Sequence, residues 1–142
     1  MAWITPKTDW YGAEDSTGVY TGDRFNDYDF NRIKNNLKHL RDTAVNIYDE
    51  FTIKDMGADK TPNDYLYADE MNLLFDNLNT ININTFNTNY GETPVYEDNG
   101  STMTFEELNM LESAMLDIYQ KLINLIEGRR MFTWNFGVKG GL

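Results

Sequence analysis

The stretch that decides the fold is residues 30–51, FNRIKNNLKHLRDTAVNIYDEF. Its apolar residues recur at alternating steps of three and four, which aligns them along one side of a helix. A seam this regular predicts a long helix over residues 26–51 that must bury one side against a partner. The members of the seam are Phe30, Ile33, Leu37, Leu40, Ala44, Ile47 and Phe51.

Two later stretches repeat the spacing and predict helices over residues 67–83 and 104–127, with Gly128 placed to end the last one. Their seams are Met71, Leu74, Leu78 and Ile81, and then Leu108, Leu111, Met115, Ile118, Leu122 and Leu125. Three seams predict an all-α domain, a three-helix bundle with coiled-coil-like seams. The seams can close within one chain or between chains as a trimeric coiled coil. Closure within one chain is simpler, because three seams are already present.

The three predicted helix starts also resemble one another. The segments DFNRI (29–33), EMNLL (70–74) and ELNML (107–111) share an acid, an apolar residue, an asparagine and, after one variable position, an aliphatic residue. This pattern indicates a helical unit used three times. Ancient duplication explains it, and so does chance matching among amphipathic helices, whose period already forces part of the agreement.

Capping residues support two of the three starts. Residues 104–107, TFEE, form a capping box, and residues 26–29, NDYD, are its Asn/Asp counterpart. Tyr67 occupies the same position at the second start and is a poor cap, so Asp64 or Asn63 is expected to cap that helix instead.

The links between the predicted helices are longer than ordinary bundle turns. They cover residues 52–66 and 84–103. Segments of this length can run back along a helix, so the sequence leaves both parallel and antiparallel helix orders open.

Composition narrows the function classes. The chain has 142 residues, a formal net charge of -11, one histidine and no cysteine. A chain this acidic repels phosphate backbones, so no nucleic-acid partner is expected. No apolar run is long enough to span a membrane, and the start MAWITPK lacks the shape of a secretory signal.

The residues predict no catalytic, cofactor or metal site. His39 lies beside the first seam and is expected to be a solvated surface residue. The acids at 23–29 and 97–98 do not have EF-hand spacing and are assigned to capping and turns. We therefore expect a protein without enzymatic activity, although paired carboxylates for glycoside hydrolysis remain conceivable in a chain with 23 acids.

The N-terminal segment, residues 1–25, is aromatic and rich in turn-forming glycine. A short strand is expected at residues 3–5. Trp3 and Trp10 either cover the open ends of the bundle or bind a partner, since exposed aromatic side chains anchor interfaces and stack on sugars.

The C-terminal tail, residues 128–142, carries three basic residues and no acid, which leaves -14 on the rest of the chain. Aromatic residues alternate with polar ones over 132–136, a period typical of a short strand. The tail is expected either to fold back on the acidic body or to dock on an acidic neighbour. Its candidate partner-binding residues are Arg129, Arg130, Phe132, Trp134 and Phe136.

Four segments carry a family resemblance: PKTDW (6–10), TGDRFN (21–26), DYDFNRI (27–33) and NFGVKGGL (135–142). Together they resemble small tail-region structural proteins of phages and prophages of Gram-positive gut bacteria, which lie near the baseplate or tail fibres. The resemblance is strongest over residues 1–48 and the last ten.

The resemblance implies a non-catalytic tail structural or adaptor protein that is made in the bacterial cytoplasm and placed in the virion tail. Its partners would be other phage tail proteins, with a homo-oligomer as a further possibility. An alternative is a carbohydrate-binding or adhesion module that uses the aromatic loop residues.

Overall fold

The computed structural model of the protein describes residues 3–13, 15–19, 22–98, 100 and 103–138, with side chains described as far as Gly128. Over these ranges the chain forms three helices and no strand: α1 (Asp27–Ala44), α2 (Ala68–Ile83) and α3 (Phe105–Val138). The predicted all-α class and the three predicted helices are confirmed.

The three apolar seams bury one another within a single chain. Ile33, Leu74 and Leu111 occupy the same position in the three repeated segments, and all three side chains are completely buried. Burying one such aliphatic side chain stabilises the fold by about 1.5–3 kcal/mol. The seam residues of α1 are buried as far as Ala44, and they belong to the same hydrophobic core as the seam residues of α2 and α3.

Capping follows the sequence at two helix starts. At α1, the Asn26 side chain accepts from the Asp29 N–H at 3.2 Å and the Asp29 carboxylate accepts from the Asn26 N–H at 3.1 Å. At α3, Thr104 and Glu107 exchange the same two bonds at 3.1 and 2.9 Å. Two of the three N-termini therefore have complete capping boxes.

The second helix starts where it is predicted, but the expectation that Asp64 or Asn63 caps it is wrong. Tyr67 is the N-cap of α2, and its N–H donates to the Glu70 carboxylate at 3.0 Å. Asp64 instead accepts from the Thr61 N–H at 2.7 Å, which closes a turn before the helix. Glu70, the third residue of the helix, thus makes one of the two bonds of a capping box. The tyrosine side chain makes no capping hydrogen bond.

The first helix is shorter than predicted, because α1 ends at Ala44 rather than at residue 51. The Ile47 N–H bonds to the Ala44 carbonyl at 3.0 Å, a three-residue spacing that tightens the last turn. Arg41 Nε then donates to the Phe51 carbonyl at 2.9 Å and fixes the chain as it turns back. Ile47 and Phe51 still pack on the core, although they lie outside the helix.

The third helix is longer than predicted, and the strand-like tail is a wrong prediction. The α3 backbone passes through Gly128 and stays helical to Val138. A single glycine costs a helix only about 1 kcal/mol, and a lone strand without a partner is unstable, so helix propagation prevails over the alternating pattern at 132–136. The strand expected at residues 3–5 is also absent from the described chain.

Three extended segments connect or precede the helices, and we call them return segments: residues 3–10, 51–60 and 86–96. The second return segment starts beside the end of α1, where Arg41 holds Phe51, and reaches the start of α1, where Lys60 pairs with Asn31. Lys60 Nζ also lies 2.7 Å from Glu70 in the first turn of α2. Since α2 begins beside the start of α1, the two helices are parallel.

The third return segment repeats this path between α2 and α3. Its Thr88 pairs with Asn82 near the end of α2 and lies 3.4 Å from Lys121 at the middle of α3. Its Tyr96 pairs with Asn72 near the start of α2. The segment therefore runs back along α2, and α3 is parallel to it.

The first return segment occupies the remaining groove, between α3 and α1. The Trp3 ring lies 4.0 Å from Tyr119, near the middle of α3, and 5.9 Å from His39 in the later half of α1. Trp10 pairs with Asn109 near the start of α3. The bundle thus has three parallel helices, with one extended segment along each groove and an approximate threefold arrangement.

The repeated asparagine has the same structural role in all three units. Its amide group accepts from the backbone N–H and donates to the backbone C=O of one residue in a return segment, and we call this pair of bonds an asparagine clamp. The clamps join Asn31 to Lys60 at 2.7 and 2.9 Å, Asn72 to Tyr96 at 2.8 and 2.9 Å, and Asn109 to Trp10 at 2.8 and 2.8 Å. The repeat predicted from sequence is therefore present in the structure.

A second tier of clamps lies further along two of the helices. Asn36 in α1 holds Ile4 at 3.0 and 2.6 Å, and Asn77 in α2 holds Lys54 at 2.8 and 2.9 Å. The amide side chain does for these extended segments what a neighbouring strand does in a sheet, because it satisfies both backbone groups of one residue.

Candidate interface surfaces

A cleft opens where the three helices begin. It has a volume of about 520 Å³, and its apolar lining comes from every unit of the bundle. The apolar lining residues are Trp10, Phe25, Leu66, Met71, Met103, Phe105 and Leu108. We call this the N-terminal cleft. Methionine and aromatic side chains suit a surface that adapts to an apolar partner.

Acidic residues are concentrated in the first turns of the three helices, at the end of the bundle where the N-terminal cleft opens. The first turns of the helices contain Asp27, Asp29, Asp69, Glu70, Glu106 and Glu107. Because the helices are parallel, their positive dipole ends meet at this side of the bundle, and the carboxylates compensate them. Asp29 and Glu70 are already paired with Arg32 and Lys60. The charged residues that line the cleft itself are Asp23, Arg24 and Glu106.

A buried ion pair lies beneath the cleft. Glu112 is fully buried, and both its oxygens lie 2.8 Å from Arg32 Nη2. The Trp10 indole N–H and the Lys7 backbone N–H also donate to this carboxylate, and Asp29 accepts from Arg32 at 2.8 Å. The network joins the first return segment to α1 and α3.

Burial dominates the acid–base behaviour of Glu112. It raises the pKa of this carboxyl even though Trp10, Arg32 and Lys7 stabilise the anion. Burial acts to lower the pKa of Arg32, but the carboxylates of Glu112 and Asp29 raise it. The pair is therefore a structural element of the bundle core, where removal of one partner would leave an uncompensated charge.

The two predicted tryptophans have different surroundings. Trp10 is only 4 % exposed, so its indole belongs to the core and contributes to the outside only as part of the lining of the N-terminal cleft. Trp3 is half-buried, with its ring stacked on Tyr119 at an interplanar angle of 12°. Trp10 therefore lies in the core and Trp3 in the groove between α1 and α3, and partner binding by either residue stays a prediction.

The expectation of a solvated His39 is wrong. Its ring is partly buried and lies 5.8 Å from Tyr119 and 5.9 Å from Trp3. The first return segment passes over this part of α1 and brings Trp3 onto the histidine, a contact that no local pattern around residue 39 indicates.

The C-terminal end of α3 extends beyond the bundle. α3 has 34 residues, against 18 in α1 and 16 in α2. Leu122 is the last fully buried residue of its seam, and Leu125 is 39 % exposed. The predicted partner-binding residues Arg129, Arg130, Phe132, Trp134 and Phe136 follow on this helix, and their side chains lie outside the described residues.

A continuous helix excludes one of the two expectations for the tail. The backbone contains no turn between Gly128 and Val138, so residues 129–138 do not fold back on the acidic body. The expectation of a tail that folds back is therefore wrong for residues 129–138, and docking on a neighbour stays a prediction.

A further cavity of about 430 Å³ lies beside the turn before α2 and is lined in part by Lys60, Asp64 and Tyr65. Tyr65 and Tyr67 are exposed, and their ring centroids are 6.4 Å apart. These loop tyrosines provide the most exposed pair of neighbouring aromatic rings in the described part of the chain.

No group of three or more histidine or acidic side chains converges to hold a metal ion within the described ranges. Among the helices as described, none is both long and apolar enough to cross a membrane. Comparison of the chain with protein-family models, curated proteins and solved structures gives no match. Function is therefore inferred from the surfaces themselves.

Proposed function

We propose that this chain is a structural or adaptor protein of a phage tail, which works through protein–protein contacts. The observation that carries the proposal is the extension of α3: ten helical residues follow Gly128, beyond the last buried residue of the seam. The sequence of this extension is basic and aromatic. Such a segment is well suited to insertion into another subunit.

The structure of the three-helix bundle supports the same role. Return segments fill the grooves between the helices, and the asparagine clamps hold them in place. A helical body with clamped return segments and one projecting helix is expected of a protein that connects other subunits. The family resemblance of residues 1–48 and of the last ten residues adds the phage tail as its place of action and the virion tail as its location.

Deletion of residues 129–142 tests the proposal. The bacterial strain that encodes the chain would produce either the full-length or the truncated protein, and released particles would be purified on a density gradient. We expect the full-length protein in tailed particles, with antibody labelling on the tail, and the truncated protein only in the unassembled fraction. Circular dichroism of the truncated protein would establish that the bundle remains folded, because every core residue among those with described side chains precedes Gly128.

A matched control is Val95→Ser, which changes an exposed loop residue far from the extension in sequence. This variant should enter particles like the unmodified chain. Tailed particles that lack the full-length protein, or that contain the truncated protein at the same level, would refute the proposal.

The second candidate is a carbohydrate-binding or adhesion module. The observation that favours it is the exposed pair Tyr65 and Tyr67 beside a cavity with polar groups, an arrangement in which sugars can stack on aromatic rings. Binding on a glycan array that Tyr65→Ala abolishes would support this function. An array without binding would remove it.

A further inference from the structure

We propose that the C-terminal helical extension of one copy docks in the N-terminal cleft of a second copy, so that copies of this chain join head to tail. The inference rests on the proposed function and deepens it, because it names the occupant of the cleft. Four observations carry it: the direction of the helices, the reach of α3, the charge of the two surfaces and the shape of the cleft.

The parallel helices place the two surfaces at opposite ends of one molecule. The N-terminal cleft is bordered by the starts of the helices, and the extension follows the end of α3. At 1.5 Å per residue, the 34 residues of α3 span ~51 Å. An uninterrupted helix of that length carries residues 129–138 away from the cleft of their own chain, so only another molecule can bring an extension into it.

The charges of the two surfaces are complementary. Residues 129–142 carry Arg129, Arg130 and Lys139 and no acid. The first turns of the three helices carry six carboxylates, of which Asp29 and Glu70 already have basic partners, and the cleft lining itself carries Asp23 and Glu106 against Arg24. This charge complementarity favours the approach of an extension to this end of a neighbour.

The cleft can accept an aromatic anchor. A volume of about 520 Å³ lies within the range of pockets that bury a compact ligand. Its walls include Phe25, Met71 and Phe105. The sequence of the extension has three aromatic residues within five positions, and buried aromatic residues dominate the energetics of most interfaces.

The contact joins two different surfaces of the same chain, so it is heterologous rather than twofold symmetric. Repetition of a heterologous contact gives a closed ring or an open filament, depending on the rotation between neighbours. Every copy in such an assembly offers one cleft and one extension, and only the two ends of an open filament remain unfilled.

Two complementary variants of the full chain test the proposal. The tail variant carries Phe132→Ser and Trp134→Ser, which leaves its cleft intact. The cleft variant carries Phe105→Lys and Glu106→Lys, which leaves its extension intact while repelling a basic partner. We expect the unmodified chain to increase in mass with concentration in sedimentation equilibrium, and each variant alone to bind itself at least tenfold more weakly. An equimolar mixture of the two should form a dimer that grows no further.

Variants with exchanged charges separate the loss of a contact from the loss of the fold. Arg130→Glu should weaken self-association, Glu106→Lys should do the same, and a chain that carries both substitutions should regain self-association through the exchanged pair. Monomeric behaviour of the unmodified chain up to about 1 mM, a concentration at which a contact with a Kd of about 1 mM is already substantially filled, would overturn the proposal. Self-association that survives in both variants would overturn it too, because it would reveal a different interface.

These outcomes are separable from a failure of the proposed function. A chain that is monomeric in solution but enters tailed particles would retain the tail role and lose the head-to-tail contact. A chain that forms head-to-tail oligomers but is absent from particles would retain the contact and lose the tail role.

Discussion

Asn109 in α3 holds Trp10 through two hydrogen bonds of 2.8 Å, across 99 residues of sequence. The bonds satisfy the backbone N–H and C=O of Trp10, while its indole reaches the buried Glu112. One residue of the first return segment is thus fixed both by its backbone and by its side chain. The position of Trp10 beneath the N-terminal cleft depends on this pair of contacts.

Replacement of Asn109 by alanine should destabilise the protein by about 2 kcal/mol, because two hydrogen bonds worth about 1 kcal/mol each are lost. Urea denaturation monitored by circular dichroism measures the change. The matched control is Asn79→Ala, since the Asn79 amide donates to the exposed Thr93 side chain and to no return-segment backbone. Equal losses in the two variants would show that the clamp contributes nothing of its own.

The buried ion pair should respond unequally to two substitutions of Glu112. Glu112→Ala strands Arg32 without its main partner in the core and should cost about 3–5 kcal/mol. Glu112→Gln keeps the size of the side chain and a carbonyl that can accept from Arg32 and Trp10, so the loss should be smaller. Unfolding free energies from urea titration compare them, and a glutamine variant as unstable as the alanine variant would contradict this account.

The raised pKa of Glu112 gives a pH dependence with a definite sign. A carboxyl whose folded pKa lies above its ordinary value of 4.5 binds protons more readily in the native state. Its contribution to the unfolding free energy is therefore greatest at low pH and declines as pH rises from 4.5 through the folded pKa. The difference in unfolding free energy between the unmodified chain and Glu112→Gln should decline over that range.

Other carboxyls change with pH in the opposite direction, which makes the comparison with Glu112→Gln necessary. The bonds to Lys34 and Tyr90 lower the pKa of Asp59 and Asp117, respectively, and their stabilisation is lost as pH falls below 3.8. Both proteins share these groups, so they cancel in the difference. A difference that is flat or that rises above pH 4.5 would refute the assignment for Glu112.

Gly128→Ala should stabilise α3 by up to about 1 kcal/mol, because alanine restricts the unfolded chain and a new Cβ would meet no atom within 4 Å. Thermal unfolding followed by circular dichroism would detect the gain. Gly57→Ala is the matched control: its site has equal space but a φ of +82°, so alanine should destabilise it. Loss of stability in Gly128→Ala would mean that the helix ends at this glycine.

The helices were predictable because their signals are local. The three- and four-residue steps of the seam, together with the capping residues at 26–29 and 104–107, mark two starts and three buried sides. Even the equivalence of Asn31, Asn72 and Asn109 was visible as a repeat. What those asparagines bind was not, since an amide side chain in a helix gives no indication of the distant backbone it contacts.

The candidate surfaces were less predictable, because they depend on contacts between residues that are distant in the sequence. Trp10 is a surface candidate by sequence, and it becomes a core residue only because Glu112, 102 residues away, supplies an acceptor for its indole. In the tail, the alternation of Phe132, Trp134 and Phe136 suggested a strand, although the same residues can also form a helix. The N-terminal cleft joins three helix starts whose meeting depends on the parallel order, which the length of the links left open.

The approximate threefold arrangement makes the order of the units in the chain independent of their packing. Trp3 stacks on Tyr119, two to three turns before Gly128, just as Phe51 lies beside Arg41 near the end of α1. A short linker from residue 128 to residue 3 would imitate the natural connection between α1 and the second return segment. A circular permutant opened at Asp49 should therefore keep all the clamps and a urea midpoint close to that of the natural order, and a permutant that fails to fold would show that the connections, and not the contacts alone, specify the bundle.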